Sequence, residues 1–260
     1  MTMFKKILLA SALAVSASFA DWDSFQVLEN HKGQAEVGIS YANMLDKDFD
    51  YSRLATSASA RFTIIPNLEL ALSVPYIIFV HFDGKDSHMD GFAQPSIWAR
   101  YHIIPTMNVY AGVSIPVGDE SLVAKNVWGF GVGVQYYTPI NQLLNFGSEL
   151  SVSASTKGEY RVAPLYAGAS AELNFMVSPQ FNPYVGVSTN VSLGGFTDDG
   201  YEYSEGGGTI DITPYIGASY KINEIVTLEA TIGLQNTIYT KIDENSDTML
   251  STSLKAKFNF

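Results

Sequence analysis

The sequence predicts an all-β protein, an antiparallel transmembrane β-barrel of about 12 strands with short turns at one rim and longer loops at the other. Three observations carry this expectation. The last eleven residues, LSTSLKAKFNF, alternate strictly: Leu250, Thr252, Leu254, Ala256, Phe258 and Phe260 share one face of an extended strand, and Ser251, Ser253, Lys255, Lys257 and Asn259 the other. Comparable two-residue alternations recur in series along the chain. The connectors between them switch regularly between tight turns and long polar stretches.

At the N-terminus, Lys5 and Lys6 precede an apolar run from Ile7 to Val15, and Ser18 and Ala20 supply small residues for cleavage. Residues 1–20 therefore read as a secretory signal peptide, 21–32 as a periplasmic segment and 33–260 as the barrel. The apolar run is shorter than the roughly 20 residues that a membrane-crossing helix needs, and no later segment supplies one.

Within the barrel, strands are expected over residues 33–42, 54–64, 67–75, 91–103, 106–115, 127–138, 141–153, 161–177, 180–192, 208–221, 224–238 and 248–260. Tight turns fall at Ile65-Pro66, Ile104-Pro105, Pro139-Ile140, Ser178-Pro179 and Ile222-Asn223, where proline fixes φ and ends a ladder in four of the five. Longer polar stretches at 43–53, 76–90, 116–126, 154–160, 193–207 and 239–247 occupy the opposite rim. Short turns on the periplasmic side, with both termini there, and long loops outside are the organisation of a bacterial outer-membrane barrel.

Charge segregates by face. One face carries Val37, Ile39, Tyr41, Leu70, Leu72, Phe130, Val132, Leu228 and Ile232 without interruption, whereas Glu36, Arg61, Glu69, Arg100, Glu149, Glu172, Asp211, Lys221, Glu229, Lys255 and Lys257 occupy the other. A soluble barrel hides its apolar face, and a lipid-facing barrel turns it outward because Arg or Lys at the bilayer midplane costs roughly 2 to 4 kcal/mol. The signal peptide, the terminal Phe and the loop asymmetry select the second arrangement. The final strand resembles the C-terminal strand by which outer-membrane barrels are recognised and closed, so the barrel-assembly machinery is an expected partner through Phe260. Phe62, Tyr101, Tyr136, Phe175, Tyr220 and Phe258 near the short turns, with Tyr41 and Trp128 near the loops, form two expected interfacial girdles.

Composition agrees. There is no cysteine, and the formal net charge of −11 becomes −13 once Lys5 and Lys6 are removed, which disfavours nucleic acid as a partner. Lipid, lipopolysaccharide and a small-molecule solute are the expected partners, the cell outer membrane is the expected location, and no cofactor is called for.

Twelve strands about 4.8 Å apart and tilted about 40° enclose a backbone diameter of roughly 24 Å and a free bore of about 10 to 14 Å. The residues expected to line the pathway are Arg61, Glu69, Trp98, Arg100, Tyr110, Glu149, Glu172, Asp211, Glu229, Lys255 and Lys257. Their balanced charges fit either a substrate-selecting constriction or a mutually paired ladder. Inward glycines such as Gly129, Gly131, Gly133, Gly186 and Gly217 either widen the bore or ease close packing. Pairing of the first strand with the last, bringing Glu36 beside Lys255 and Lys257, is required if the barrel closes.

Ser73-Val74-Pro75-Tyr76, Asp90-Gly91, Gln94-Pro95, Ala99-Arg100-Tyr101 and Gly112-Val113-Ser114-Ile115-Pro116-Val117-Gly118-Asp119 resemble the successive motifs of outer-membrane proteins assigned to the meta-pathway of phenol degradation. The resemblance spans about a third of the chain. It implies a transporter barrel for small molecules, hydrophobic or aromatic ones among them, and a structural or adhesive barrel with a filled lumen is the alternative. Gln94 and Val117 depart from the family's pattern, and no N-terminal plug of the fatty-acid-channel kind is expected.

Catalysis has weaker support. His81, Asp83, Asp86, Ser87, His88 and Asp90 share one outer loop and are read as a solvated loop, not an active site. Asp46, Asp48 and Asp50 imitate the start of a calcium loop, but Tyr51 stands where glycine is needed. Asp198, Asp199, Glu202 and Glu205 are read as an acidic outer loop. Neither an enzyme nor a metal site is expected.

Overall fold

The computed structural model describes residues 27–45, 50–82, 85–87, 89–119, 121–123, 126–157, 163–197, 200–203, 207–239 and 248–260. The signal peptide, Asp46, Asp48, Asp83, His88, Asp198, Asp199 and Glu205 lie outside these residues, and the loop expected over 239–247 lies almost wholly outside them.

Among the described residues all regular structure is β. Twelve strands build the wall: β1 (Gly33–Met44), β2 (Tyr51–Ile65), β3 (Leu68–Phe82), β6 (Ser96–Ile104), β7 (Met107–Ser114), β8 (Gly129–Asn141), β9 (Leu144–Ser155), β10 (Ala163–Phe175), β11 (Phe181–Thr197), β13 (Ile210–Lys221), β14 (Val226–Tyr239) and β15 (Thr248–Asn259). Three short strands, β4 (Lys85–Ser87), β5 (Gly91–Phe92) and β12 (Gly200–Glu202), hang from β3 and β11 at the outer rim. Each wall strand is antiparallel to its sequence neighbours in the wall, and β15 returns to β1, so the sheet closes. At the seam Ala35 faces Phe258, Glu36 faces Lys257 and Gly38 faces Lys255. Gly33 and Phe260 exchange backbone hydrogen bonds of 2.8 and 2.9 Å.

The period-two pattern decides which face meets lipid. Val37, Ile39, Leu70, Leu72, Phe130, Val132, Ile216, Leu228 and Leu254 are exposed on the outside, while Glu36, Glu69, Arg100, Gln135, Glu229 and Lys257 are buried inside. The girdle aromatics Phe62, Tyr101, Tyr136, Phe175, Tyr220 and Phe258 at one rim, and Tyr41 and Trp128 at the other, are all exposed on the outer surface. A closed barrel with an apolar exterior and a charged interior is an outer-membrane barrel, and the cell outer membrane is its location.

Most expected boundaries shift by a few residues, and three of the shifts have a plain local cause. Strand β3 continues through Pro75 to Phe82 because β6 pairs with β3 only as far as Ser73 and β5 resumes at Tyr76, so the proline's missing N–H falls in a gap of the ladder. Strand β8 likewise passes Pro139, which sits at a register irregularity, and the turn forms at Gln142-Leu143 with Asn141 Oδ1 accepting the Leu143 N–H. In β11 the glycines expected to begin a loop instead form a bulge at Gly194 (φ 100°), and the strand runs on to pair with β12.

Candidate functional site

The lumen is built in two storeys. In the periplasmic half, inward positions of β2, β3, β6, β7, β8 and β9 converge on Arg100. Its Nη2 donates to Glu69 Oε1 at 2.9 Å with both side chains at 0% exposure, and its Nη1 donates to Gln135 Oε1 at 3.1 Å. Arg61 lies 3.6 Å from the same Glu69 oxygen. Gln135 donates to Glu149 at 2.7 Å, Tyr110 donates to Glu149 at 2.6 Å, and Asn108 joins Gln135 to His102. A second cluster sits at the seam: Lys257 reaches Glu229 at 2.5 Å and Glu36 at 3.9 Å, and Lys255 lies 3.6 Å from Glu36. Buried charges persist only when paired and hydrogen-bonded, and these contacts set Arg61 and Arg100 against Glu69, and Lys255 and Lys257 against Glu36 and Glu229.

The residues expected at the pathway thus divide into groups. Arg61, Glu69, Arg100, Tyr110 and Glu149 share one network, with Trp98 against Tyr110 at a ring-centroid distance of 5.6 Å. Glu229, Lys255 and Lys257 belong to the seam. Glu172 accepts from Tyr215 and Asn174, and Asp211 from Thr237. Lys221 instead pairs with Glu224 in the exposed periplasmic turn. Gln135, Asn108, Tyr184 and Tyr215 fall outside the expected pathway set, although strict alternation from Gly133, Tyr110, Gly186 and Gly217 places all four inward.

Glycine and aromatic residues interlock across the inner wall. A Cβ at Gly133 would lie 2.4 Å from the Tyr110 ring, at Gly186 2.3 Å from Tyr215, at Gly217 2.3 Å from Tyr184 and at Gly112 2.1 Å from Trp98. These glycines receive rings laid flat on the neighbouring strand, which settles their role as close packing and not added bore. Tyr184 then donates to Glu229 at 2.9 Å, as Tyr110 does to Glu149 and Tyr215 to Glu172.

The lumen is also electrically lopsided. Between Leu144 and Tyr220 the only basic residues are Lys157 and Arg161, both between β9 and β10 in sequence, whereas the inward faces of β9, β10 and β13 carry Glu149, Glu172 and Asp211. Arg61, Arg100, Lys255 and Lys257 occupy the facing arc together with Glu36 and Glu69.

Toward the outside the lining becomes apolar. Tyr51, Ala55, Ile77 and Val80 are buried together, with Met44, Met89, Ala93, Leu122 and Met249 packed on them. Met89, Ala93 and Leu122 come from outer connections, held down by a clasp: Phe92 N–H donates to Asp119 Oδ2 at 2.5 Å, Asp119 N–H returns to Phe92 O at 2.8 Å, and Gln94 Nε2 donates to Val127 O at 2.7 Å. Gly91 (φ 129°) leaves no room for a side chain beside Asp119, where a Cβ would approach the carboxylate to 1.9 Å. The motifs Asp90-Gly91, Gln94-Pro95 and Gly118-Asp119 are therefore the parts of this clasp. At the other end the segment before β1 turns into the periplasmic mouth: Leu28 N–H donates to Glu69 Oε2 and Leu28 O accepts from Thr63, both at 3.0 Å.

His81 Nε2 lies 3.3 Å from Asp50 Oδ2 at the outer rim. Among the described residues no three His, Asp or Glu side chains converge on a metal-sized site.

Residues 17–241 match the family model described as "Putative MetA-pathway of phenol degradation". The chain belongs to this family. Among solved structures, a COG4313 outer membrane channel from Pseudomonas putida F1 superposes with a TM-score of 0.74 at 12% identity, covering 92% of this chain and 98% of that one. The translocator domain of the autotransporter NalP from Neisseria meningitidis gives 0.59 at 11% identity with 98% of each chain covered, and the NanC porin 0.51 at 9% identity with 85% and 98% covered. No curated protein matches. At these identities the likeness is one of fold, and it reinforces the family's closed outer-membrane barrel.

Proposed function

We propose that this barrel is an outer-membrane conduit for small molecules, hydrophobic or aromatic compounds in particular. The observation that carries the reading is the apolar box at the outer end of the lumen, where Tyr51, Ile77 and Val80 pack with Met44, Met89 and Met249. A water-filled pore has a polar interior throughout, whereas here the partly buried methionines, backed by buried Tyr51, Ile77 and Val80, offer an adaptable apolar surface to an incoming solute. Below it, Trp98, Tyr110, Tyr184 and Tyr215 continue an aromatic lining toward Arg61, Glu69, Arg100, Glu149, Glu172, Glu229, Lys255 and Lys257, whereas Asp211 lies at the outer end of its strand. Channels and porins among the structures of like fold support the conduit role.

The competing reading is a structural barrel with a filled lumen, favoured by the enclosed Arg100 and Glu69. Single-channel recording and solute uptake into liposomes separate the two. Uptake of an aromatic solute above protein-free vesicles is expected, and absence of both conductance and uptake would refute the conduit.

A further inference from the structure

The hairpin of β11 and β12 rises well clear of the wall and carries aromatic rings where lipid tails no longer reach. Phe196 and Tyr201 face each other across this hairpin, their ring centroids 5.7 Å apart and nearly edge to face. Phe196, Tyr201 and Tyr203 are each about half exposed, at 49%, 51% and 48%. Tyr201 Oη donates to Leu193 O, which fixes the ring's direction.

Height follows from the ladder. Phe196 lies 15 residues beyond Phe181 of the periplasmic girdle, one of them taken up by the bulge at Gly194. At about 3.3 Å per residue and a tilt of about 40°, that is roughly 35 Å. Trp128 lies 8 residues from Tyr136, so the outer girdle stands at roughly 20 Å on the same scale. The hairpin rings are therefore about 15 Å above the outer girdle, and about 10 Å above the top of an apolar band about 25 Å tall.

The face that bears them continues the lipid-facing surface. Phe196 pairs with Ala163 of β10, on the same side as the outward positions Val185 and Val187 once the bulge has shifted the alternation. Glu202, the charged residue described on β12, pairs with Gly195 and falls on the opposite face. Among the described residues, the outward face of the hairpin thus offers the rings of Phe196, Tyr201 and Tyr203, the Tyr201 hydroxyl being turned back to the chain, with no charge. Such a surface suits the C–H faces of neutral sugar rings better than phosphates, because the negative face of an aromatic ring attracts polarised C–H groups and repels anions.

We propose that the Phe196–Tyr201–Tyr203 face binds neutral sugars of the core oligosaccharide of a lipopolysaccharide molecule seated in the outer leaflet against β10 and β11. In this arrangement the acyl chains lie on the outward aliphatic residues of these strands and the sugars stack on the hairpin. The contact is independent of whatever crosses the lumen.

The test uses full-length protein in detergent or nanodiscs, titrated with lipopolysaccharide bearing a complete core and with lipopolysaccharide truncated to lipid A. The variant Phe196→Ser/Tyr201→Ser should weaken binding of the complete form by about tenfold or more, as removal of two stacking rings implies, and leave lipid A binding unchanged. Glu202→Gln, on the other face, should change neither. Heat-modifiable migration on gels verifies closure of the barrel, and if the double variant does not close, Tyr203→Ser is read in its place with a smaller loss expected. Equal binding of the complete form by variant and parent would overturn the proposal, as would equal loss on both lipids. Tight binding of free core oligosaccharide, with no gain from the lipid, would move the site to soluble sugars and likewise overturn it.

Discussion

Glu69 holds two guanidinium groups in a dry part of the lumen, and its removal is the most informative perturbation of the inner network. Its Oε1 lies 2.9 Å from Arg100 and 3.6 Å from Arg61, with Glu69 and Arg100 fully buried. At an effective dielectric constant of about 20 these contacts are worth roughly 6 and 5 kcal/mol before desolvation is subtracted. Breaking a buried pair from one side typically costs about 3 to 5 kcal/mol, because the remaining charge is left uncompensated. Glu69→Leu should fall at the upper end of that range, since it strands two cations and the Leu28 N–H. Arg100→Met should fall at the lower end, since Glu69 keeps Arg61. The double variant replaces Glu69 and Arg100 by apolar volume and should lose clearly less than the sum of the two singles, the remaining loss being that of Arg61 and the Leu28 N–H, which still lack the carboxylate. Urea unfolding from phospholipid vesicles, followed by tryptophan fluorescence, gives the three free energies. Single losses below about 1 kcal/mol, or a double loss equal to the sum of the singles, would refute the reasoning.

Other perturbations probe separate parts. Gly133→Ala should destabilise by about 1 to 3 kcal/mol through collision with the Tyr110 ring, and Tyr110→Leu in the same chain should recover part of the loss in the same urea assay. Asp119→Ala should release the outer clasp, read as at least about tenfold faster hydrogen exchange of the Phe92 amide while the wall strands keep their protection. Gly33→Ile should obstruct closure, because a Cβ there already lies 2.3 Å from the Phe260 ring, and a smaller heat-resistant fraction on gels is the expected result. If the lumen conducts, the carboxylate arc should favour cations, and Glu149→Gln/Glu172→Gln/Asp211→Asn should move the reversal potential in a salt gradient toward the unselective value.

What the chain alone discloses follows from one periodicity. Alternation places Glu36, Lys255 and Lys257 on the same face, and closure then makes them neighbours, so the seam is legible in the sequence. The same rule locates Arg100 and Glu69 inside, and their distance from the tight turns puts both in the periplasmic half, but it does not give the register of β3 against β6, hence no partners. Proline misleads at Pro75 and Pro139, because its punctuation holds for a strand paired on both sides, and these residues fall at a ladder gap and a bulge. The glycines are ambiguous for a related reason: a missing side chain is equally compatible with open space and with a neighbour's ring, and only the register of Gly133 against Tyr110 decides. Asp119 is visible as part of a motif, yet its partner is the main chain at Phe92, which carries no side-chain signature.

The seam has a kinetic corollary. Gln34 and Asn259, joined by a side-chain hydrogen bond, stand 225 residues apart, so the contacts that complete the wall are also the most distant along the chain. Loop-closure entropy rises with that separation, and non-local pairing is slow. Closure between β1 and β15 should accordingly be the last and slowest event of folding. Every other wall strand then acquires its second neighbour earlier, and until closure β1 and β15 are the wall strands that retain an open edge. Once Gly33 and Phe260 have joined, no fraying end is left from which unzipping could start, and the finished barrel should persist because of the height of the barrier to opening as much as because of its free energy.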